Sequence, residues 1–116
     1  MWHVYGNQTD SPMNDLVDDF NKSTGKDKGI TIQVTSLVNS DYIHTALVAA
    51  AHNEPGAGKL PDLFVCYPKT AIAMGTDILL DWNGMFSEQE KSEYHPDFLE
   101  EGIIDGKLIV FPMAKS

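Results

Sequence analysis

The chain alternates short apolar runs with amphipathic stretches, and the period of each run predicts its element. Trp2, Val4 and Tyr5 open the chain as the back half of a strand. Ser11-Pro12 then supplies an N-cap followed by proline at the first helical position. Met13, Leu16, Val17 and Phe20 recur at helical spacing, with Gly25 as the expected stop. After a turn at Lys26-Asp27-Lys28-Gly29, Ile30, Ile32 and Val34 alternate with Thr31, Gln33 and Thr35, the period of a half-buried strand. Asn39-Ser40-Asp41 offers caps for a second helix, with Ile43, Ala46, Leu47 and Ala50 inward and Ala49 to Ala51 packed closely.

Beyond a loop over Asn53 to Gly58, Leu63 to Tyr67 reads as a short buried strand, and Thr70 to Met74 as helical turns ended by Gly75. Ser87-Glu88-Gln89-Glu90 is a capping box opening a polar surface helix, and Pro96 to Glu101 is another short helix. Asp105-Gly106 between Ile103-Ile104 and Leu108 to Phe111 is a hairpin signal. The continuous second run predicts a strand covered on both faces. One core is expected from Met13, Leu16, Val17, Phe20, Ile30, Ile32, Val34, Leu47, Leu63, Val65, Leu108 and Val110. Strand, helix, strand, helix, strand, helix and hairpin in that order predict an α/β fold, a mostly parallel sheet flanked by helices. At 116 residues the chain is one domain at most.

Charge narrows the partners. Eight lysines, no arginine and seventeen acidic residues give a net charge of -9. That balance repels phosphate backbones and anionic membranes, so no nucleic acid partner is expected. The single cysteine, Cys66, lies in an apolar run and reads as a buried structural thiol. No apolar stretch approaches a membrane span.

Four segments in register carry a resemblance. Gly106-Lys107-Leu108-Ile109-Val110-Phe111-Pro112 is similar to the G-K-L-aliphatic-x-aromatic-Pro segment of the solute-binding proteins of ABC importers, in the group containing the maltose-binding and glycerol-3-phosphate-binding proteins. Trp2-His3 with the polar, Gly-containing loop after it resembles that family's first strand and loop, and Gly29 to Val34 its second strand. Pro61-Asp62-Leu63-Phe64-Val65 matches its P-D-aliphatic strand, and Leu79-Leu80-Asp81-Trp82 the segment after that strand.

The resemblance covers the whole chain but only the opening part of such a protein. It implies a partial lobe of a two-lobed binding protein, residues 1–116 being a truncated N-terminal lobe. The implied function is capture of a saccharide or sugar derivative outside the cytoplasm, in a periplasm or as a cell-surface lipoprotein. The implied partners are the solute and the membrane subunits of an ABC importer. No cofactor, metal or catalytic step is implied. Self-association is expected of such a fragment through unpaired strand edges. An α/β enzyme acting on a sugar phosphate or nucleotide is the alternative on the same architecture.

Candidate chemistry is sparse. Gly56-Ala57-Gly58-Lys59-Leu60 fails as a P-loop, with Asn53 for the first glycine and Leu60 where a magnesium-holding hydroxyl belongs. His3, His44, His52 and His95 are too dispersed for helical metal spacing and are expected on the surface or at caps. Asp77, Asp81 and Asn83 lack the geometry of a calcium loop. Asn7-Gln8-Thr9 and Asn21-Lys22-Ser23 are formal glycosylation sequons.

Tyr5, Tyr42 and Tyr67 each fall at a strand end or a helix start, where ligands of open α/β sheets bind. Aromatic faces pack on sugar C–H faces while neighbours such as Asn7, Gln8 and Lys69 bond hydroxyls. The resemblance implies ligand contact at Tyr5 to Gln8, at Tyr42, near Cys66-Tyr67 and at Ser116. Ser116 stands where the maltose-binding pattern has an acidic residue and Cys66 where it has tryptophan, so the resemblance does not extend to maltose specificity. The expected ligand set is therefore Tyr5, Asn7, Gln8, Tyr42, Tyr67 and Ser116.

Overall fold

The structure, a computed structural model, describes residues 1–6 and 10–113. The chain divides into two compact units, Met1–Val65 and Cys66–Ser116. Its class is α/β.

The first unit contains β1 (Trp2–His3), α1 (Pro12–Lys22), α2 (Thr24–Lys28), β2 (Thr35–Ser36) and α3 (Ser40–Ala51). β1 pairs in parallel with β2, Trp2 opposite Thr35 and His3 opposite Ser36. On its other edge Trp2 forms a parallel bridge to Phe64. The two edges use different backbone groups. Met1 and His3 carbonyls accept from Thr35 and Leu37 N–H at 2.8 Å each. The Trp2 N–H donates to Leu63 O, and its carbonyl accepts from Val65 N–H, both at 3.0 Å. The first strand thus lies between the second and third extended segments.

α1 begins as its sequence requires. Ser11 Oγ accepts from Asn14 N–H at 3.3 Å and Pro12 occupies the first turn. Its end corrects the expected stop at Gly25. The helix ends at Ser23, and Gly25 sits buried inside α2. A Cβ there would press on Ile30 O and Phe20, so glycine is needed for close packing. The left-handed stop falls at Gly29, φ 70°.

The strand expected over residues 30–35 is a second correction. Only Thr35–Ser36 makes a ladder, although Ile32 and Val34 are half-buried between exposed Thr31, Gln33 and Thr35. Part of the missing pairing is supplied by a side chain. Asn21 Oδ1 accepts from Ile32 N–H at 2.8 Å and Asn21 Nδ2 donates to Ile32 O at 3.0 Å. An amide can imitate one residue of a neighbouring strand because it carries the same donor and acceptor.

α3 agrees with the expected pattern. Asn39 Oδ1 accepts from Tyr42 N–H at 2.9 Å, and Ile43, Leu47 and Ala50 are buried. With Val17 they make the apolar centre of this unit. Full burial of Leu47 removes its whole side chain from water, roughly 1.5–3 kcal/mol of transfer free energy.

The second unit is built from local elements: α4 (Pro68–Met74), α5 (Glu88–Ser92), α6 (Pro96–Glu101), β3 (Ile103–Ile104) and β4 (Lys107–Leu108), with single 3₁₀ turns at Thr76–Ile78 and Trp82–Gly84. Gly75, φ 95°, stops α4. The Ser87 capping box forms in both directions, at 3.1 and 3.2 Å, and α5 buries nothing. β3 and β4 pair antiparallel, Ile103 opposite Leu108 and Ile104 opposite Lys107. Asp105 (φ 52°) and Gly106 (φ 79°) are both left-handed, as a two-residue hairpin turn demands. Leu108 and Ile109 are buried with Ala71, Met74 and Thr70. Phe86, Phe111 and Tyr94 form a ring cluster, with Phe86 stacked on Phe111 at 4.3 Å and Tyr94 edge-on at 4.8 Å.

Three members of the expected core are exposed: Leu16 (64%), Ile30 (49%) and Leu63 (39%). Leu16 lies at the margin of the Met13–Val17–Phe20 stripe. Ile30 comes directly after the Gly29 stop, ahead of any ladder. Leu63 flanks a single bridge, so the expected buried strand over Leu63 to Tyr67 is reduced to one paired residue, Phe64.

Candidate functional site

The carboxyl ends of β1 and β2 point the same way because the strands are parallel. The exit turn Val4-Tyr5-Gly6 leaves the end of β1, and the segment Leu37 to Tyr42 leaves the end of β2. Tyr5 is half-buried, its ring 5.9 Å from that of His3. Tyr42 stands in the first turn of α3 and is 56% exposed. An aromatic ring left in water at such an edge is available for stacking.

The exit turn is held by side chains. Tyr5 N–H donates to His3 Nδ1 at 3.1 Å, and Gly6 N–H donates to Ser36 Oγ at 3.1 Å. His3 Nε2 is 3.1 Å from Asn14 Oδ1. Because Nδ1 accepts, the ring proton belongs on Nε2, which donates to Asn14. His3 is completely buried, which corrects its expected place at the surface or a cap. That expectation holds at His95, whose Nδ1 accepts from Asp97 N–H at 3.3 Å at the start of α6. Trp2 and Val4 flank His3 in an apolar run, and a strand covered on both faces buries the position between them.

Of the other expected ligand residues, Tyr67 belongs to the second unit. It is 50% exposed, precedes α4, and lies 5.9 Å from Lys69 Nζ, measured to its ring centre. Asn7, Gln8 and Ser116 lie outside the described residues. So does the Asn7 sequon, while Asn21 of the other sequon is committed to Ile32.

Burial pushes the Cys66 thiol up to about 11, partly offset by a backbone hydrogen bond at Ala71. It is a poor nucleophile at neutral pH. Asp81 is also committed, its Oδ1 accepting from Asn83 N–H at 3.0 Å and Leu108 N–H at 3.1 Å. It ties a 3₁₀ turn to the hairpin, a role the Leu79-Leu80-Asp81-Trp82 pattern did not announce. Among the described residues no three His, Cys, Asp or Glu side chains gather as metal ligands.

No family model matches the chain, and no curated protein matches it.

The second unit also holds a mostly apolar pocket of about 400 Å³, lined by Tyr94, Pro96, Leu99, Ile103 and Leu108 with Asn83, Glu88, Lys91 and Ser92. Lys91 is already paired with Glu88 at 2.6 Å. Of the described ligand residues, Tyr5, Tyr42 and Tyr67 do not line it. Among the described residues no helix is long and apolar enough to cross a membrane.

Proposed function

We propose that the chain is the opening segment of a solute-binding protein serving an ABC importer, and that it contributes one wall of a site for a saccharide-like solute. The observation that carries this reading is the parallel placement of β1 between β2 and Phe64, with Tyr5 and the exposed Tyr42 just past the carboxyl ends of β1 and β2. Ligands of open α/β sheets bind at that edge. The four segments resembling the family add the substrate class.

In this reading the protein binds and performs no chemistry, needs no cofactor, and works outside the cytoplasm with importer membrane subunits. Tyr5 and Tyr42 stack on sugar C–H faces. A second lobe closes on the solute. One wall alone binds weakly, since a finished pocket buries ~70–90% of a small ligand. Exposed apolar side chains such as Val38 (70%) and Ile72 (60%) favour self-association of this segment, which light scattering across a concentration series reads directly.

Saturation-transfer NMR on a panel of mono- and oligosaccharides tests the function. At least one sugar should receive transfer from the wild-type chain, and Tyr42→Ala should weaken that transfer severalfold. A stacked ring contributes about 0.5–1.5 kcal/mol. A folded chain that transfers to no sugar at millimolar concentration overturns the reading.

A further inference from the structure

Two successive backbone N–H groups lie just past β1, and both are occupied from within the protein. Tyr5 N–H is taken by His3 Nδ1 and Gly6 N–H by Ser36 Oγ, each at 3.1 Å. In doubly wound proteins that hold phosphate groups, the N–H groups after the first strand face the ligand instead. Position 6 also closes over the hydroxyl, since a Cβ there would collide with the Ser36 side chain. His3 cannot turn away to free its nitrogen, because it is fully buried and bonded to Asn14 through Nε2.

The neighbouring helix start is closed in the same way. Tyr42 N–H donates to Asn39 Oδ1 at 2.9 Å, and Asp41 places a carboxylate in the first turn of α3. Residues 4–6 and 37–42, which follow the two strands, contain no lysine or arginine but do contain Asp41. An anion arriving here would lose hydration and meet like charge.

We infer that His3 and Ser36 are specificity-determining residues of this edge: by occupying the Tyr5 and Gly6 N–H groups they exclude anionic solutes and reserve it for uncharged, hydroxyl-rich ones. The inference rests on the reading of this edge as a solute site. It separates a neutral sugar from a sugar phosphate, which the resemblance alone leaves open.

Ser36 is exposed, so its substitution tests the inference without endangering the fold. Amide shift mapping is run on wild type, Ser36→Ala and Ser36→Thr during titration with inorganic phosphate. The Gly6 amide should stay still in wild type, move in Ser36→Ala where its N–H is freed, and stay still again in Ser36→Thr, which restores a hydroxyl. In parallel, maltose and glucose 6-phosphate are titrated into wild type, and the neutral sugar should bind about tenfold more tightly. The inference is overturned if phosphate moves the Gly6 amide equally in wild type and Ser36→Ala, if it moves that amide in neither, or if glucose 6-phosphate binds as tightly as maltose. If no sugar of the saturation-transfer panel binds, the solute-site reading fails, and the phosphate response of Gly6 still decides whether Ser36 shields the exit turn.

Discussion

The hairpin of the second unit and the parallel pairing of the first show how differently two kinds of strand contact are specified. β3 and β4 are joined by two residues, and both of those residues carry the left-handed backbone the turn needs. Everything required to form the pair is written within six residues. β1 meets β2 across more than thirty residues and meets Phe64 across about sixty. No local signal sets those partners. They form because α1 and α3 bury Val17, Ile43 and Leu47 in the same unit, and non-local pairing is favourable only after such burial offsets loop closure. The first unit should therefore respond most to loss of helix packing, and the second to changes at its turns.

The largest effect expected is in the first unit. Leu47 is completely buried, and Leu47→Ala should cost about 2–5 kcal/mol in denaturant unfolding. A loss no greater than that of an exposed-site control such as Leu16→Ala would remove α3 from the core.

Next comes the hairpin. Ile109 and Val110 N–H both donate to Gly102 O, at 3.0 and 3.2 Å, and a Cβ at Gly102 would collide with the Val110 carbonyl. Gly102→Ala should cost about 2 kcal/mol by overpacking. Gly106→Ala, which meets no neighbour but must hold φ 79°, should cost about 1 kcal/mol. Equal effects at the two positions would mean that turn conformation, not close approach, governs this region. Ser87→Ala removes one arm of the capping box and should cost about 1 kcal/mol, read as lost helicity and stability.

The smallest effect is chemical. Burial raises the Cys66 thiol from 9.0 to about 11. The folded state therefore holds its proton more tightly than the unfolded chain. The stabilisation this gives is complete below about pH 9 and is lost as pH rises to about 11. Native Cys66 should alkylate far more slowly at pH 8 than in denaturant, and Cys66→Ala should flatten the loss of stability over that alkaline window. Equal alkylation rates would place the thiol in water.

Legibility in the sequence divides along the same line. Caps and turns were readable because each is a short pattern with its own geometry: Ser11, Asn39, Ser87 and Asp105-Gly106 all do what their type predicts. Strand extent was not. Ile30 to Thr35 keeps its alternating burial in part while its ladder shrinks to Thr35–Ser36, and Asn21 takes the backbone groups of Ile32 in place of a strand partner. Of the candidate site, Tyr5 and Tyr42 could be placed after their strands from the pattern alone. The groups that shape the exit turn could not. His3 and Ser36 act through contacts with Asn14, Tyr5 and Gly6, which only the fold brings together.

We propose that a solute binds at the edge beyond β1 and β2. Amide shift mapping of the whole chain during titration with the sugar that shows the strongest saturation transfer tests it most directly. A solute bound at that edge should concentrate the shifts at Tyr5, Gly6 and Asn39 to Tyr42. Shifts confined instead to the pocket around Tyr94, Leu99 and Ile103 would contradict it.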